Sequence, residues 1–237
     1  MKVKILIAAL FCMSSSNLMT SQTIQVIYEI QPKMQINTGD LDKSLVDLIM
    51  KESKTKSMLC YKNGESIFKP LKNENENSSG GINIQISVSE DVTYKNHSTN
   101  REIAYKDFFG KGFLIEDELK KDEWEITDST KDIQGYTCIK AISKDGEKEK
   151  TAWFCPNLPI KDGPLYTGLD GLVLEMISDN LAVVATEIST DADCLIAAPD
   201  KGKKISRDEF DKMVEKRMKA MQQSSGSGGD MVIKITR

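Results

Sequence analysis

A single histidine limits the catalytic chemistry that this 237-residue chain can carry. It excludes any zinc site or triad that needs two histidines, and the sequence contains no Gly-x-Ser-x-Gly, His-Glu-x-x-His or Walker pattern. His97 itself lies in the polar run Asn96–Asn100. We expect an exposed loop there, not the substrate-facing cleft that a general base requires.

Two other sets of residues have side chains that can bind metals, but their positions in the sequence favour other roles. The thioethers of Met213, Met218 and Met221 suit Cu(I), yet they complete the apolar stripe of a predicted helix, where methionine commonly fills gaps. The acidic clusters 116–118 and 191–193 lack the spacing of a calcium loop. The sequence therefore predicts no metal site and no cofactor.

The amino terminus predicts export. A basic start, Met1–Lys4, precedes the apolar run Ile5–Met13 and the small, polar run Ser14–Gln22, so residues 1–21 are predicted to form a cleaved signal peptide. Acylation of Cys12 is the rival interpretation, although bulky Phe11 stands where a small residue is expected. No later run approaches the length of about 20 apolar residues that a transmembrane helix needs.

Removal of residues 1–21 changes the net charge from −4 to −6 and leaves four cysteines. An acidic chain is a poor partner for nucleic acid. An even cysteine count in an exported chain favours disulfides, with three connectivities open. Cys138 and Cys155 flank the turn-like segment 144–146, which places them across a hairpin and leaves Cys60 to pair with Cys194.

The remaining pattern is mainly β. Alternating or β-rich runs predict strands, and the capping box at Ser206–Glu209 begins the most secure helix, with a shorter amphipathic helix at 40–52. The polar run 73–81 is predicted to be a loop, and Asn63-Gly64 a hairpin turn. The predicted strands are 23–31, 58–61, 66–68, 82–88, 103–109, 112–115, 124–127, 135–142, 150–155, 172–177 and 181–188.

Short strands joined by compact turns predict one antiparallel, β-rich domain over residues 22–223. Residues 224–237 are predicted to form a flexible linker and a short terminal strand or tail. The expected architecture is α+β: a curved antiparallel sheet or half-open barrel with two packed helices.

An ordered series of motifs covers residues 133–176: Ile133–Ala141, Ala152–Phe154, Pro159-Ile160, Gly163-Pro164 and Gly168–Glu175. This series resembles the GLPGLI family of exported bacterial proteins, and Gly-Leu-Asp-Gly-Leu-Val stands where the family has its hexapeptide. The resemblance implies an exported β-rich protein without an established enzymatic activity, similar to periplasmic lipoprotein carriers. Asp170 departs from the family's proline, so a role that needs a rigid, apolar loop tip is in doubt.

The candidate binding residues lie in this region. The loop is interpreted either as a recognition surface or as a turn whose apolar residues are tucked inward, and the adjacent aromatic residues should point to opposite faces of a strand. The candidates are Trp153, Phe154, Gly163, Pro164, Tyr166, Gly168, Leu169, Asp170, Gly171 and Leu172.

The favoured hypothesis is an exported binding protein of the periplasm or outer membrane. An apolar ligand, a peptide or an envelope protein would lie in a groove between the sheet and the helices. One alternative is an enzyme that uses Asp170 with Glu175 or another acid. The other is a structural accessory whose sheet edge pairs with an outer-membrane partner.

Overall fold

A computed structural model describes residues 23–33, 53–71, 90–145, 148–158, 160–165, 167–190 and 192–224. Several predicted segments lie outside these residues, namely the signal peptide, helix 40–52, loop 73–81, strand 82–88 and the linker and tail from 225 onward. The second helix of the expected architecture therefore stays a prediction.

The described part of the chain is mainly β, as predicted, with one helix. The strands β4 and β12 were not predicted. The elements are β1 (Ile24–Pro32), β2 (Thr55–Lys62), β3 (Glu65–Pro70), β4 (Val92–Asn96), β5 (Arg101–Phe108), β6 (Lys111–Glu118), β7 (Glu125–Ile133), β8 (Tyr136–Asp145), β9 (Lys148–Cys155), β10 (Leu172–Ile177), β11 (Leu181–Thr190), β12 (Lys203–Lys204) and α1 (Arg207–Ser224).

All twelve strands belong to one open sheet in the order β12-β6-β5-β4-β3-β2-β1-β11-β10-β9-β8-β7. β1 lies between two antiparallel meanders, β2–β6 and β7–β11, and β12 adds a short parallel pair to β6. The sheet is curled, as a contact between distant strands shows: Gln134 at the β7–β8 turn donates a hydrogen bond of 3.4 Å to the Ala185 carbonyl on β11. In a flat sheet β8 and β11 would lie about 14 Å apart.

The predicted Asn63-Gly64 turn is confirmed. Both residues have positive φ, +54° and +82°, which is the backbone of a two-residue hairpin turn matched to the twist of its strands. β2 and β3 consequently pair from Lys62 with Glu65 to Ser57 with Pro70. This register sets the side chains of β2 and β3 on defined faces of the sheet.

The core lies mainly on one face of the sheet. Its largest cluster joins residues of β1–β3 and β7–β11 with the loop that follows β9, and includes Tyr28, Phe68, Phe154, Leu172 and Met176. We call this side the core face. Ile27, Met58, Cys60 and Ile67 alternate with core residues along their strands and so form a smaller cluster on the opposite face.

Residues 192–202, here called the strap, cross that opposite face. The Cys60–Cys194 disulfide joins the strap to β2, as predicted, and Ile196 packs against the clusters around Met58 and Leu114. The strap ends at β12, and α1 begins three residues later. Since the strap contacts Leu114 whereas Phe210 of α1 packs on Phe113, the chain passes around the β6 edge to the core face.

The predicted capping box begins α1. Ser206 Oγ accepts a hydrogen bond from the Glu209 backbone N–H at 3.3 Å, and Glu209 Oε2 accepts one from the Ser206 N–H at 3.1 Å. The stripe residues Met213 and Met218 are half-buried, and the Met221 side chain lies outside the described part. Among the described residues, no helix combines the length and apolarity that crossing a membrane requires.

The predicted Cys138–Cys155 disulfide is wrong for this structure, in which both residues are free, buried thiols. They occupy the facing positions next to Ile139 and Phe154 in the β8–β9 pair. Facing residues of antiparallel strands usually hold their Cβ atoms about 4.5–5.5 Å apart, wider than the mean of about 3.8 Å in a disulfide. Burial and the nearby Cys155 raise the pKa of Cys138 to about 11, so the neutral thiol predominates.

Candidate functional site

The loop that follows β9, residues 156–171, is fastened to the sheet by one buried carboxylate. Asp162 Oδ1 accepts hydrogen bonds from Lys95 Nζ at 2.8 Å and from the Gly163 N–H at 2.7 Å. Asp162 Oδ2 accepts from Ser66 Oγ and lies 3.2 Å from His97 Nε2. We call Ser66, Lys95, His97 and Asp162 the anchor.

The register of the sheet explains why the anchor forms. Ser66 on β3 and Lys95 on β4 are directly opposed, and Ser66 shares the core face with Phe68. A lysine at a core-facing strand position needs a buried anion. Asp162, which lies 67 positions further along the chain, supplies that anion.

The electrostatics of the anchor follow from burial and pairing. Burial alone would raise the pKa of Asp162, but the Lys95 ammonium and the His97 hydrogen bond outweigh it and hold the pKa far below that of an ordinary aspartate. Lys95 and Asp162 are 2% and 1% exposed. An ion pair with so little access to solvent holds the loop in place and offers no route for a substrate.

His97 lies in the turn between β4 and β5, as expected, but it is half-buried instead of exposed and has a polar partner. Its side chain is 22% exposed, and its imidazole contacts Asp162. The ring of Tyr61 lies 6.3 Å away, centroid to centroid. Sequence reasoning missed the anchor because its members are distant in sequence, and because the polar neighbours Thr93, Asn96 and His97 give no sign that Lys95 is buried.

Most of the predicted loop candidates point inward. Five of them are buried and two are exposed, which favours the interpretation of a turn with its apolar residues tucked in; the structure does not describe Tyr166. Among the described residues of this loop, Leu165 is a large apolar side chain that is 39% exposed. The buried candidates are Gly163, Pro164, Leu169, Gly171 and Leu172, and the exposed ones are Gly168 and Asp170.

At two of these positions only glycine fits, because the neighbouring backbone lies too close for a side chain. A Cβ on Gly171 would lie 2.4 Å from the Cys155 carbonyl oxygen, and a Cβ on Gly168 would lie 2.6 Å from the Asp122 carbonyl oxygen. Gly168 also has a φ of +111°, which L-residues with a side chain rarely adopt. These glycines let the loop pass close to the sheet, so their role here is packing.

Asp170 is poorly placed for acid–base catalysis. Its side chain is 82% exposed and forms an ion pair of 2.7 Å with Lys161. The Lys161 hydrogen bond and charge lower the pKa of Asp170. A general acid near neutral pH needs a raised pKa, which is the opposite shift.

The predicted aromatic pair does split between the two faces. Phe154 is 3% exposed and belongs to the core. Trp153 projects from the opposite side of β9 but is half-buried and packs against the same core cluster, and the Lys131 ammonium lies 4.4 Å from its ring centroid and donates a 2.6 Å ion-pair hydrogen bond to Glu175. The apolar ring of Trp153 thus lies beside the ion pair of Lys131 and Glu175 on the surface of the sheet.

Trp153 belongs to a row that runs straight across five strands. Facing pairs connect the row through β1, β11, β10, β9 and β8, and all members are half-buried. We call this row the polar row. Its members are Glu29, Val184, Glu175, Trp153 and Lys140.

A second row lies two residues further along each strand on the same face. Its residues are also half-buried, and together with the polar row they form what we call the open face. On the core face, by contrast, the intervening row from Ile30 to Ala141 is buried throughout. The second row consists of Gln31, Ala182, Ile177, Thr151 and Ile142.

The sequence also predicted that the chain has no metal site. Within the ranges that the structure describes, no group of three or more histidine, cysteine, aspartate or glutamate side chains is arranged to hold a metal ion. Two of the acidic residues 116–118 make ion pairs with arginines, Glu116 with Arg101 and Asp117 with Arg207.

Comparison with known proteins gives a family and a fold. A family model described as the N-terminal domain of N-glycanase peptide matches residues 81–213, more than half of the chain. A solved structure of PNGF-II in space group C2 matches with a TM-score of 0.56 and 18% identity over 83% of this chain and 33% of that one. No curated protein matches the chain.

A second PNGF-II structure, in space group P21, gives a TM-score of 0.54 and 19% identity over 83% of this chain and 34% of that one. At this identity the likeness concerns the fold. The chain spans about a third of the length of the structures that it matches.

Proposed function

The chain belongs to the family of N-terminal domains of N-glycanase peptide, and we propose that it is an exported, non-catalytic binding domain for glycoconjugates. The observation that carries the proposal is the open face, where half-buried apolar and charged side chains alternate around Trp153. The name of the family supplies the ligand class. The Cys60–Cys194 disulfide and the predicted signal peptide support export.

The charged groups of the described residues favour binding over catalysis. Lys95 and Asp162 are the buried charged residues there, and they neutralise each other inside the anchor. The enzyme alternative relied on Asp170, whose exposure and lowered pKa suit an ordinary surface ion pair. A half-exposed face that is already formed suits recognition without a chemical step.

The resemblance to the GLPGLI family and the location in the periplasm or at the outer membrane remain part of this proposal. An envelope glycoprotein is then the partner in place of a purely apolar ligand. The open face mixes carboxylates, ammonium groups and aliphatic side chains, so a polar ligand fits it better than a lipid chain.

The test uses the mature chain and an immobilised N-glycoprotein. We expect saturable binding that falls when the glycan is removed beforehand, and an unchanged intact mass of the glycoprotein after prolonged incubation. Release of the glycan would identify an enzyme, and equal binding to the glycan-free protein would remove the glycan from the proposal.

A further inference from the structure

We infer that the polar row is the ligand site itself and that its ligand is a short, uncharged oligosaccharide lying across the strands over Trp153. This inference rests on the proposed function. It adds where the ligand binds, how it lies relative to the strands and to which chemical class it belongs. It begins from the register, which sets Glu175 and Lys140 on either side of Trp153 in facing positions.

The composition of the row matches the two surfaces of a sugar ring. The C–H groups of a pyranose pack on an aromatic face, and its hydroxyls form hydrogen bonds with carboxylates and ammonium groups. Trp153 offers the ring, and Glu175 and Lys140 offer the acceptor and the donor beside it. The second row adds the aliphatic side chains of Ile177 and Ile142 along one flank.

Both carboxylates of the row are already paired, and Lys140 is its third charged residue. Lys131 neutralises Glu175 at 2.6 Å, and Lys54 neutralises Glu29 at 2.7 Å. The two carboxylates stand against three ammonium groups, those of Lys54, Lys131 and Lys140, so the net charge is only +1 and a neutral ligand needs no counter-charge of its own. Lys131 also covers the ring of Trp153, so a sugar that stacks there must move the ammonium group off the ring while its ion pair with Glu175 stays in place; the partly exposed cation–π contact that is lost is weak.

The length of the row sets the size of the ligand. Strands lie about 4.8 Å apart, so the five residues from Glu29 to Lys140 cover about 19 Å measured along the curved surface of the sheet. Among the described residues, the strap crosses the sheet over β2 and β4–β6 and not over this row. We therefore expect several sugar units to contribute, with the strongest contact at Trp153.

The experiment measures equilibrium binding of a released biantennary N-linked oligosaccharide to the mature chain and its variants. Trp153→Ala is expected to weaken binding at least about tenfold, since a central aromatic residue commonly dominates such a contact. Glu175→Gln keeps the shape but loses the charge, and a smaller loss is expected. Leu195→Ala, which shortens an apolar side chain that is 77% exposed on the strap, is the control and should bind normally.

Trp153→Phe provides a second test if the alanine variant does not fold. The wild-type tryptophan fluorescence should change on titration with the oligosaccharide, and the change should vanish in Trp153→Phe, which retains Trp124. Wild-type binding with an undiminished Trp153→Ala affinity would overturn the inferred site and leave the proposed function standing. No binding of the oligosaccharide or the parent glycoprotein by the wild type would overturn both.

Discussion

Replacing Asp162 with asparagine tests the anchor most sharply. The change keeps the size of the side chain, so the amide oxygen can still accept from Lys95 and from the Gly163 N–H. What is lost is the negative charge that balances Lys95, which is 2% exposed. Breaking a buried pair by removing one partner costs about 3–5 kcal/mol, because the remaining charge stays buried and uncompensated.

This cost corresponds to a measurable shift in urea. With an m-value of about 2–3 kcal/mol/M for a chain of this size, the midpoint of unfolding should fall by about 1–2 M at neutral pH. Asp170→Asn is the matched control in the same loop, and it should leave the midpoint unchanged because its ion pair with Lys161 is exposed. Both variants should keep the wild-type m-value.

A double variant separates lost charge balance from lost shape. Lys95→Met in the Asp162→Asn background removes the orphaned ammonium group, so the double variant should be more stable than Asp162→Asn alone. A loss below about 1 kcal/mol for Asp162→Asn would refute the reasoning, because water would then be solvating Lys95. Further destabilisation in the double variant would refute it as well.

Three other predictions concern stability. Because Asp162 has a lowered pKa in the folded state, its stabilisation is complete above the ordinary aspartate pKa of about 3.9 and is lost as the pH falls below it, so urea midpoints should drop more steeply there for the wild type than for Asp162→Asn. The double change Cys60→Ser and Cys194→Ser opens a loop of 134 positions and should cost about 2–5 kcal/mol by urea unfolding, with an unchanged midpoint under reducing conditions counting against it. Gly168→Ala should cost about 1–3 kcal/mol because φ is +111° and the Asp122 carbonyl is close; a neutral result would show that the loop can shift.

The sequence predicted most strands because their signals are local. Asn63-Gly64 fixes a hairpin through two residues, and Ser206 with Glu209 begins α1 within one turn. β4 was missed because its five residues contain only two apolar side chains, Val92 and Tyr94, which is too short an alternation to predict a strand. β12 is two residues long and gives no periodic signal.

The site was harder to predict because it depends on register. The β10–β9 pairing shifts between Val173 and Glu175, so the alternation of the sequence alone does not show that Glu175 faces Trp153. The anchor depends on a contact across 96 positions, from Ser66 to Asp162, which no local pattern reveals. The split of Trp153 and Phe154 between two faces was predictable, because neighbours on a strand always point apart.

The central claim is that the open face binds the glycan, and side-chain footprinting by hydroxyl radicals tests it most directly. Mass spectrometry would compare the oxidation of each peptide with and without saturating biantennary oligosaccharide. We predict that oxidation of Trp153 falls strongly while that of Leu195 on the strap stays constant. Unchanged oxidation of Trp153 under conditions in which the oligosaccharide is bound would contradict the account.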